Sequence, residues 1–104
     1  MTDAILIIVT CPDEKNAQDI ASLLIEGKHA ACVQLSEINS MFWWDGKIQQ
    51  RPEWRLDIKT ISSQFETVQK LIRKHHPYEV PAIEMIQIKD GNADFLDWIK
   101  DSVS

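Results

Sequence analysis

The chain has 104 residues, enough for one hydrophobic core and too few for two, so residues 1–104 are read as a single domain. Hydrophobic residues make up 44% of it and charged residues 26%, the balance of a globular protein and not of a disordered one. Sixteen acidic against 11 basic side chains give a formal net charge of −5, which argues against a nucleic-acid partner, because duplex binding draws on phosphate neutralisation by Lys and Arg.

Met1-Thr2-Asp3 leads straight into Ala4-Ile5-Leu6-Ile7-Ile8-Val9. No basic stretch precedes that run and no small-residue cleavage site follows it. It is also too short to span a bilayer, so the expectation is a cytoplasmic chain with no membrane partner. Residues 4 to 10, apolar almost throughout and rich in β-branched side chains, predict a central strand buried on both faces. Cys11-Pro12-Asp13 breaks it, and Pro12 or Asp13 opens a helix. Ala17, Ile20, Ala21 and Leu24 fall on one face of that helix, and Gly27 marks its exit. Ala30 to Ile38 predict a second strand, followed by a turn region and then Met41-Phe42-Trp43-Trp44. Asp45-Gly46 is a strong hairpin signal, with Lys47 to Gln50 as the return arm, ended or bent by Pro52.

Trp54, Leu56, Ile58 and Thr60 alternate with Arg55, Asp57 and Lys59, which predicts a strand with unequal faces. Ser63-Gln64-Phe65-Glu66 fits a capping box ahead of the stripe Phe65, Val68, Leu71 and Ile72. Pro77 stops that helix. Residues 80 to 88 predict a fourth strand, Gly91-Asn92 a turn, and Phe95, Leu96 and Ile99 a short closing helix with Trp98 beside its stripe. The order strand, helix, strand, strand, helix, strand predicts an α+β fold of the split βαβ type (βαββαβ). Two crossover helices cover one face of an antiparallel-rich sheet, and a long β-hairpin and a C-terminal helix are added to it.

Two helices leave the second sheet face to be covered. The first strand is apolar at every position from 4 to 9, and the last carries Ile83 and Met85 with one parity and Val80, Ala82, Ile86 and Ile88 with the other. Leaving four such side chains wet forgoes roughly 1.5–3 kcal/mol each, so a partner copy of the chain is the expected cover. Phe42, Trp43, Trp44 and Trp54 are the expected contact apparatus; the alternative is that these rings close the core of one subunit around the base of the hairpin.

The polar residues that stand out are Cys11, Cys32, Lys59, the group His75-His76-Pro77-Tyr78-Glu79, and Glu84. Thiolate, imidazole and carboxylate all ligate metals, and a site would draw on Cys11 or Cys32, one histidine, and Glu79 or Glu84. The alternative is that Cys32 packs as a small buried hydrophobe and that His75 or His76 caps its helix. Both cysteines are read as thiols. Glu84 lies in an apolar strand, where a carboxylate either faces solvent at a cleft or pairs with a cation such as Lys59. Three glycines leave no phosphate cradle, and no spacing supports a Cys–His nucleophile, so the chain is read as non-enzymatic.

Several segments in order carry a likeness. They are Thr10-Cys11-Pro12-Asp13-Glu14, Ala30-Ala31-Cys32-Val33, Ser40-Met41-Phe42-Trp43-Trp44-Asp45-Gly46-Lys47, Glu53 with Leu56-Asp57-Ile58-Lys59-Thr60, and His76-Pro77-Tyr78-Glu79-Val80-Pro81. Together with Trp98 they resemble the CutA family of divalent-cation tolerance proteins over nearly the whole chain. The resemblance implies a ferredoxin-like subunit in a homotrimer whose long hairpin reaches a neighbour, and weak binding of copper(II) or another divalent cation. By that likeness Cys32 and His76 fall on positions to which metal binding is ascribed, and His75 matches the additional histidine of some members. Cys11 follows Thr10, whereas some relatives carry a cysteine before that threonine, where this chain has Val9. Gln34, Phe42, Gln49 and Ala82 depart from the family's asparagine, tyrosine, glutamate and glutamate; the last two remove potential oxygen ligands and Phe42 a hydroxyl, which predicts a weaker copper site. An alternative is a non-enzymatic signalling or scaffold trimer that holds a small molecule or protein in inter-subunit clefts lined by Glu53, Lys59, Tyr78 and Glu79.

Overall fold

The computed structural model describes residues 2–103. In chain order the elements are β1 (Ala4–Cys11), α1 (Glu14–Glu26), β2 (Cys32–Trp44), β3 (Lys47–Ile61), α2 (Phe65–His75), β4 (Ile83–Gln87) and α3 (Ala93–Ser102). The strands form one sheet in the order β2-β3-β1-β4, every neighbouring pair antiparallel. This is the ferredoxin-like βαββαβ topology with an added C-terminal helix.

The β1 strand is central because both its faces are apolar. Ile5, Ile7, Val9 and Cys11 alternate toward the helices and are buried together with Leu56 and Ile58 of β3. Ala17, Ile20 and Leu24 of α1 and Val68 and Ile72 of α2 close this core from above, the 3.6-residue period bringing them to one side. On the opposite face Leu6 and Ile8 are half-buried. There α3 supplies partial cover: Ile99 is fully buried, and the Lys59 ammonium lies 5.5 Å from the centre of the Phe95 ring.

Four local expectations are corrected. The turn expected after Ile38 is absent, since β2 pairs with β3 without a break from Cys32 to Trp44. Pro52 neither ends nor interrupts β3. It lies opposite Asn39, beyond the end of β1, where β3 has a neighbour on one side only and every second N–H is free of the ladder. The capping box at Ser63 does not form. A 3₁₀ turn spans Ser62–Gln64 and no side-chain cap bond precedes α2. Finally, β4 begins at Ile83 and not at residue 80, because Pro81 supplies no backbone donor just ahead of it. Elsewhere Asp13 is the N-cap of α1, its carboxylate accepting from the Asn16 N–H at 2.8 Å.

The hairpin turn has Asp45 at φ 54° and Gly46 at φ 71°, the paired left-handed geometry that suits the twist of two antiparallel strands. Pairing of β1 with β3 stops at Cys11–Trp54, yet β2 and β3 continue for seven further pairs, from Ile38–Glu53 to Trp44–Lys47. At about 3.4 Å per residue that is an arm of about 24 Å. It accounts for a longest dimension of 45 Å against 25 and 21 Å.

Two substitutions separate core from turn. Ile58→Ala is expected to cost about 2–5 kcal/mol in denaturant unfolding, as for other buried aliphatic truncations. Gly46→Ala meets no neighbouring atom but forces a Cβ into the left-handed region, for a loss of about 1 kcal/mol.

Candidate functional site

At the base of the arm the sheet face away from α1 and α2 opens into a cleft of about 500 Å³. Strand alternation puts Phe42 and Trp44 of β2 and Arg51 and Glu53 of β3 on its hairpin side. The link from α2 to β4 forms the other wall, with Tyr78, Glu79 and Val80, and Thr10 at the end of β1 closes the base.

Pro77 shapes that wall. It ends α2, and His76 leaves the helix in an extended conformation (φ −92°, ψ 133°) that turns its ring inward. The His76 Nδ1 accepts from the Tyr78 backbone N–H at 3.1 Å, so Nε2 carries the proton and donates to the Thr10 carbonyl at 2.8 Å. The imidazole is buried and packs at 4.8 Å against the Tyr78 ring. Tyr78 in turn donates its hydroxyl to Glu53 Oε2 at 3.1 Å. Two anchors thus tie the α2–β4 link to the sheet: the imidazole between the Thr10 carbonyl and the Tyr78 backbone, and the Tyr78 hydroxyl on Glu53. Burial raises the Tyr78 pKa above its ordinary value, with the neighbouring Arg51 guanidinium pulling it down and Glu53 pushing it up. Glu53 itself is only 6% exposed, and the Tyr78 hydroxyl is its one hydrogen-bond donor among the described residues. Arg51 lies 5.5 Å from the centre of the Phe42 ring.

The structure therefore brings Glu53, Tyr78 and Glu79 into one cleft and leaves Lys59 out of it. Lys59 pairs with Leu6 near the other end of the sheet and donates to Gln34 Oε1 at 3.1 Å. It makes no ion pair with Glu84. Glu84 is exposed on β4 and lies across β1 from β3, two strands from Lys59. Thr10, Phe42, Trp44 and Arg51 were not foreseen as lining residues. For Phe42, Trp44 and Arg51, parity with Glu53 along the hairpin was the signal; Thr10 lies on β1, and its place at the cleft base follows only from the sheet register.

The candidate metal donors do not converge within one chain. Cys32 pairs with Lys59 opposite Leu6, whereas His76 bonds Thr10, four residues further along β1 and two strands away, a separation of more than about 10 Å. His75 is exposed at the end of α2, its carbonyl accepting from Asn16 Nδ2 at 3.0 Å. Both ring nitrogens of His76 are engaged. Among the described residues no three His, Cys, Asp or Glu side chains are placed to hold an ion. The expectation of a buried Cys32 is corrected as well: Cys32 is half-buried, and Cys11 is the fully buried thiol. Burial first, then the nearby charges of Asp13 and Glu53, push the Cys11 pKa up from 9.0 to about 11.

Cys11 is expected to stay unreacted toward an aromatic disulfide reagent at pH 8 in the folded protein, and to react once denatured. Its raised folded-state pKa contributes stability that is present below about pH 9, where neither state ionises, and lost as pH rises toward about 11. Tyr78→Phe removes the one donor that Glu53 receives among the described residues and is expected to cost about 1–3 kcal/mol in denaturant unfolding.

Among the described residues no helix is long and apolar enough to cross a membrane. A family model described as CutA1 divalent ion tolerance protein matches residues 5–102. A divalent-cation tolerance protein CutA of Archaeoglobus fulgidus is 41% identical over 97 residues, covering 93% of this chain and 95% of that protein. The solved structure of the Archaeoglobus fulgidus protein superposes with a TM-score of 0.94 at 40% identity, covering 97% of this chain and 99% of that one. CutA1 from Shewanella sp. SIB1 gives 0.94 at 38% identity, with 98% and 96% covered. CutA1 from Oryza sativa gives 0.95 at 35%, with 99% and 95% covered. The Archaeoglobus protein is described as periplasmic, which overturns the cytoplasmic expectation. Cys11 and Cys32 sit at opposite ends of the sheet, too far apart to join in any compartment. The family is described by ion tolerance and not by a reaction. By its near full-length match and its shared fold, this chain belongs to the CutA1 divalent ion tolerance family.

Proposed function

We propose that the protein works as a homotrimer that answers divalent cations, binding copper(II) or a similar ion weakly and catalysing no reaction. What carries the cation reading is the match, over residues 5–102, to a family named for divalent-ion tolerance. The assembly reading draws on the arm. Met41, Trp43 and Ile48 lie on one of its faces and Trp44 on the other, and they are 67%, 72%, 61% and 66% exposed. A two-stranded ribbon bearing that much bare apolar surface is marginal in water unless it docks, and closed symmetry is the usual form of docking between like chains.

Cys32, His75 and His76 are the proposed donors, contributed across subunits since one chain does not gather them. Thiolate and imidazole suit copper, and two of the oxygen donors that relatives carry are replaced here by Gln49 and Ala82, so the affinity is low. His76 enters such a site only by exchanging its bond to Thr10 for the ion, and His75 is the more accessible imidazole.

Sedimentation velocity at micromolar concentration is expected to show a species of three chains; a compact, folded single chain overturns the assembly. Titration of that species with Cu²⁺ is expected to saturate, and the affinity to fall at least tenfold in one or more of Cys32→Ser, His75→Ala and His76→Ala, each checked for folding by circular dichroism. Equal affinity in all three folded variants rules out the donor set.

A further inference from the structure

We propose that Asp90-Gly91, in the link between β4 and α3, is a site of spontaneous isoaspartate formation, and that the fold protects the same dipeptide at Asp45-Gly46. The inference uses covalent neighbours and one contact within the link. It depends neither on the metal reading nor on which surfaces an assembly covers.

Isomerisation begins when the backbone nitrogen after an aspartate attacks that aspartate's side-chain carbon. Glycine in the following place leaves the nitrogen uncrowded, because it carries no Cβ. At Asp90 the two groups are already together: the Gly91 N–H donates to Asp90 Oδ1 at 2.8 Å. The Asp90 Cγ lies one bond behind that oxygen, close to the separation of about 3–3.5 Å from which an attacking atom reacts. The surrounding backbone does not resist the ring. The Ile88 N–H is tied to the Ala4 carbonyl at 3.0 Å and the Asn92 carbonyl accepts from Leu96 at 3.1 Å, but residues 89–91 between them belong to no strand or helix. Nor does the fold require glycine at 91. Gly91 lies outside the left-handed region, and a Cβ there would meet only the Leu96 side chain, at an ordinary contact distance of 3.5 Å.

The hairpin pair is held differently. Asp45 and Gly46 are both left-handed, in a two-residue turn closed by the Trp44–Lys47 pair. Isomerisation would add a main-chain atom to a turn whose length sets the register of the whole ladder.

The step balances without an oxidant or cofactor. In the acid form of Asp90, the Gly91 nitrogen bonds to Cγ and gives up its proton, and the Cγ–OH bond breaks so that water leaves. Water then opens the succinimide. Attack at Cγ restores aspartate. Attack at the Asp90 main-chain carbonyl breaks its bond to the Gly91 nitrogen, leaving that carbonyl as a free carboxylate and the chain running through the side chain, one methylene longer.

The test is storage of the full-length protein in warm, mildly acidic buffer, followed by tryptic mapping. Cleavage after Lys89 and Lys100 isolates residues 90–100, and cleavage after Lys28 and Lys47 isolates residues 29–47. The first peptide is expected to gain a second form of equal mass, preceded by one lighter by a single water, with electron-transfer fragments placing isoaspartate at residue 90. Asp45 is expected to convert at least tenfold more slowly in the folded protein, and at a similar rate once the chain is unfolded in urea. Gly91→Ala is expected to slow conversion at Asp90 at least tenfold with an unchanged unfolding midpoint. The proposal is overturned if Asp45 converts as fast as Asp90 in the folded protein, if folded Asp90 forms no isoaspartate where the unfolded chain does, or if folded Gly91→Ala converts at the original rate.

Discussion

An antiparallel ribbon of two strands has no core of its own. Each of its side chains meets water unless something lies above or below it, and its outer edge presents unpaired backbone groups. In this chain the ribbon from Ile38 to Glu53 extends past the end of β1, so the one strand that could have thickened it is missing where Trp43, Trp44 and Ile48 stand. The rest of the molecule is arranged around that constraint. The sheet behind the ribbon is anchored by β1, apolar on both faces; α1 and α2 fill one face and α3 only part of the other. The link between α2 and β4 closes on the base of the ribbon through Tyr78. That leaves the ribbon held at its root and bare along its length.

Much of this was legible from residue pattern. The continuously apolar run from 4 to 9, rich in β-branched side chains, identified the central strand, Asp45-Gly46 the hairpin, and Ala17, Ile20, Ala21 and Leu24 the buried face of α1. The mismatches have a common physical origin in tertiary context. Asn39 and Ser40 carry turn propensity, but each has a partner across the hairpin, and the ladder overrides a local preference of a few tenths of a kcal/mol. Ser63 could cap a helix, yet Ser62 is tied to Asp3 by a backbone bond of 2.8 Å, and the chain enters α2 through a tighter turn. The pairing imagined for Glu84 and Lys59 required knowing that β1 lies between their strands, which no local pattern reveals.

The site divides in the same way. Glu53 lies 25 residues before Tyr78 and meets it and Glu79 because Pro77 ends a helix and turns the following residues back across the sheet. Lys59 shares a strand with Glu53 but lies six positions along it, near the opposite end of β1. Residue type alone made the four look equivalent; position along the sheet separates them. The metal donors show the converse. Cys32, His75 and His76 look like a ligand set by chemistry, but β2 and β1 are separated by β3, and His76 spends both nitrogens holding Tyr78 and Thr10 in place. A buried imidazole with two satisfied nitrogens is a strut before it is a ligand.

The departures from the family pattern take on meaning once the cleft is seen. Phe42 and Ala82, where the likeness would place a tyrosine and a glutamate, both line it. Their combined effect is to remove one hydroxyl and one carboxylate and to leave Glu53 and Glu79 as its acids. The cleft keeps its excess negative charge but loses polar surface around it. Divergence at Phe42 and Ala82 is then a change in what the cleft can hold, made without touching the core residues that fix the fold.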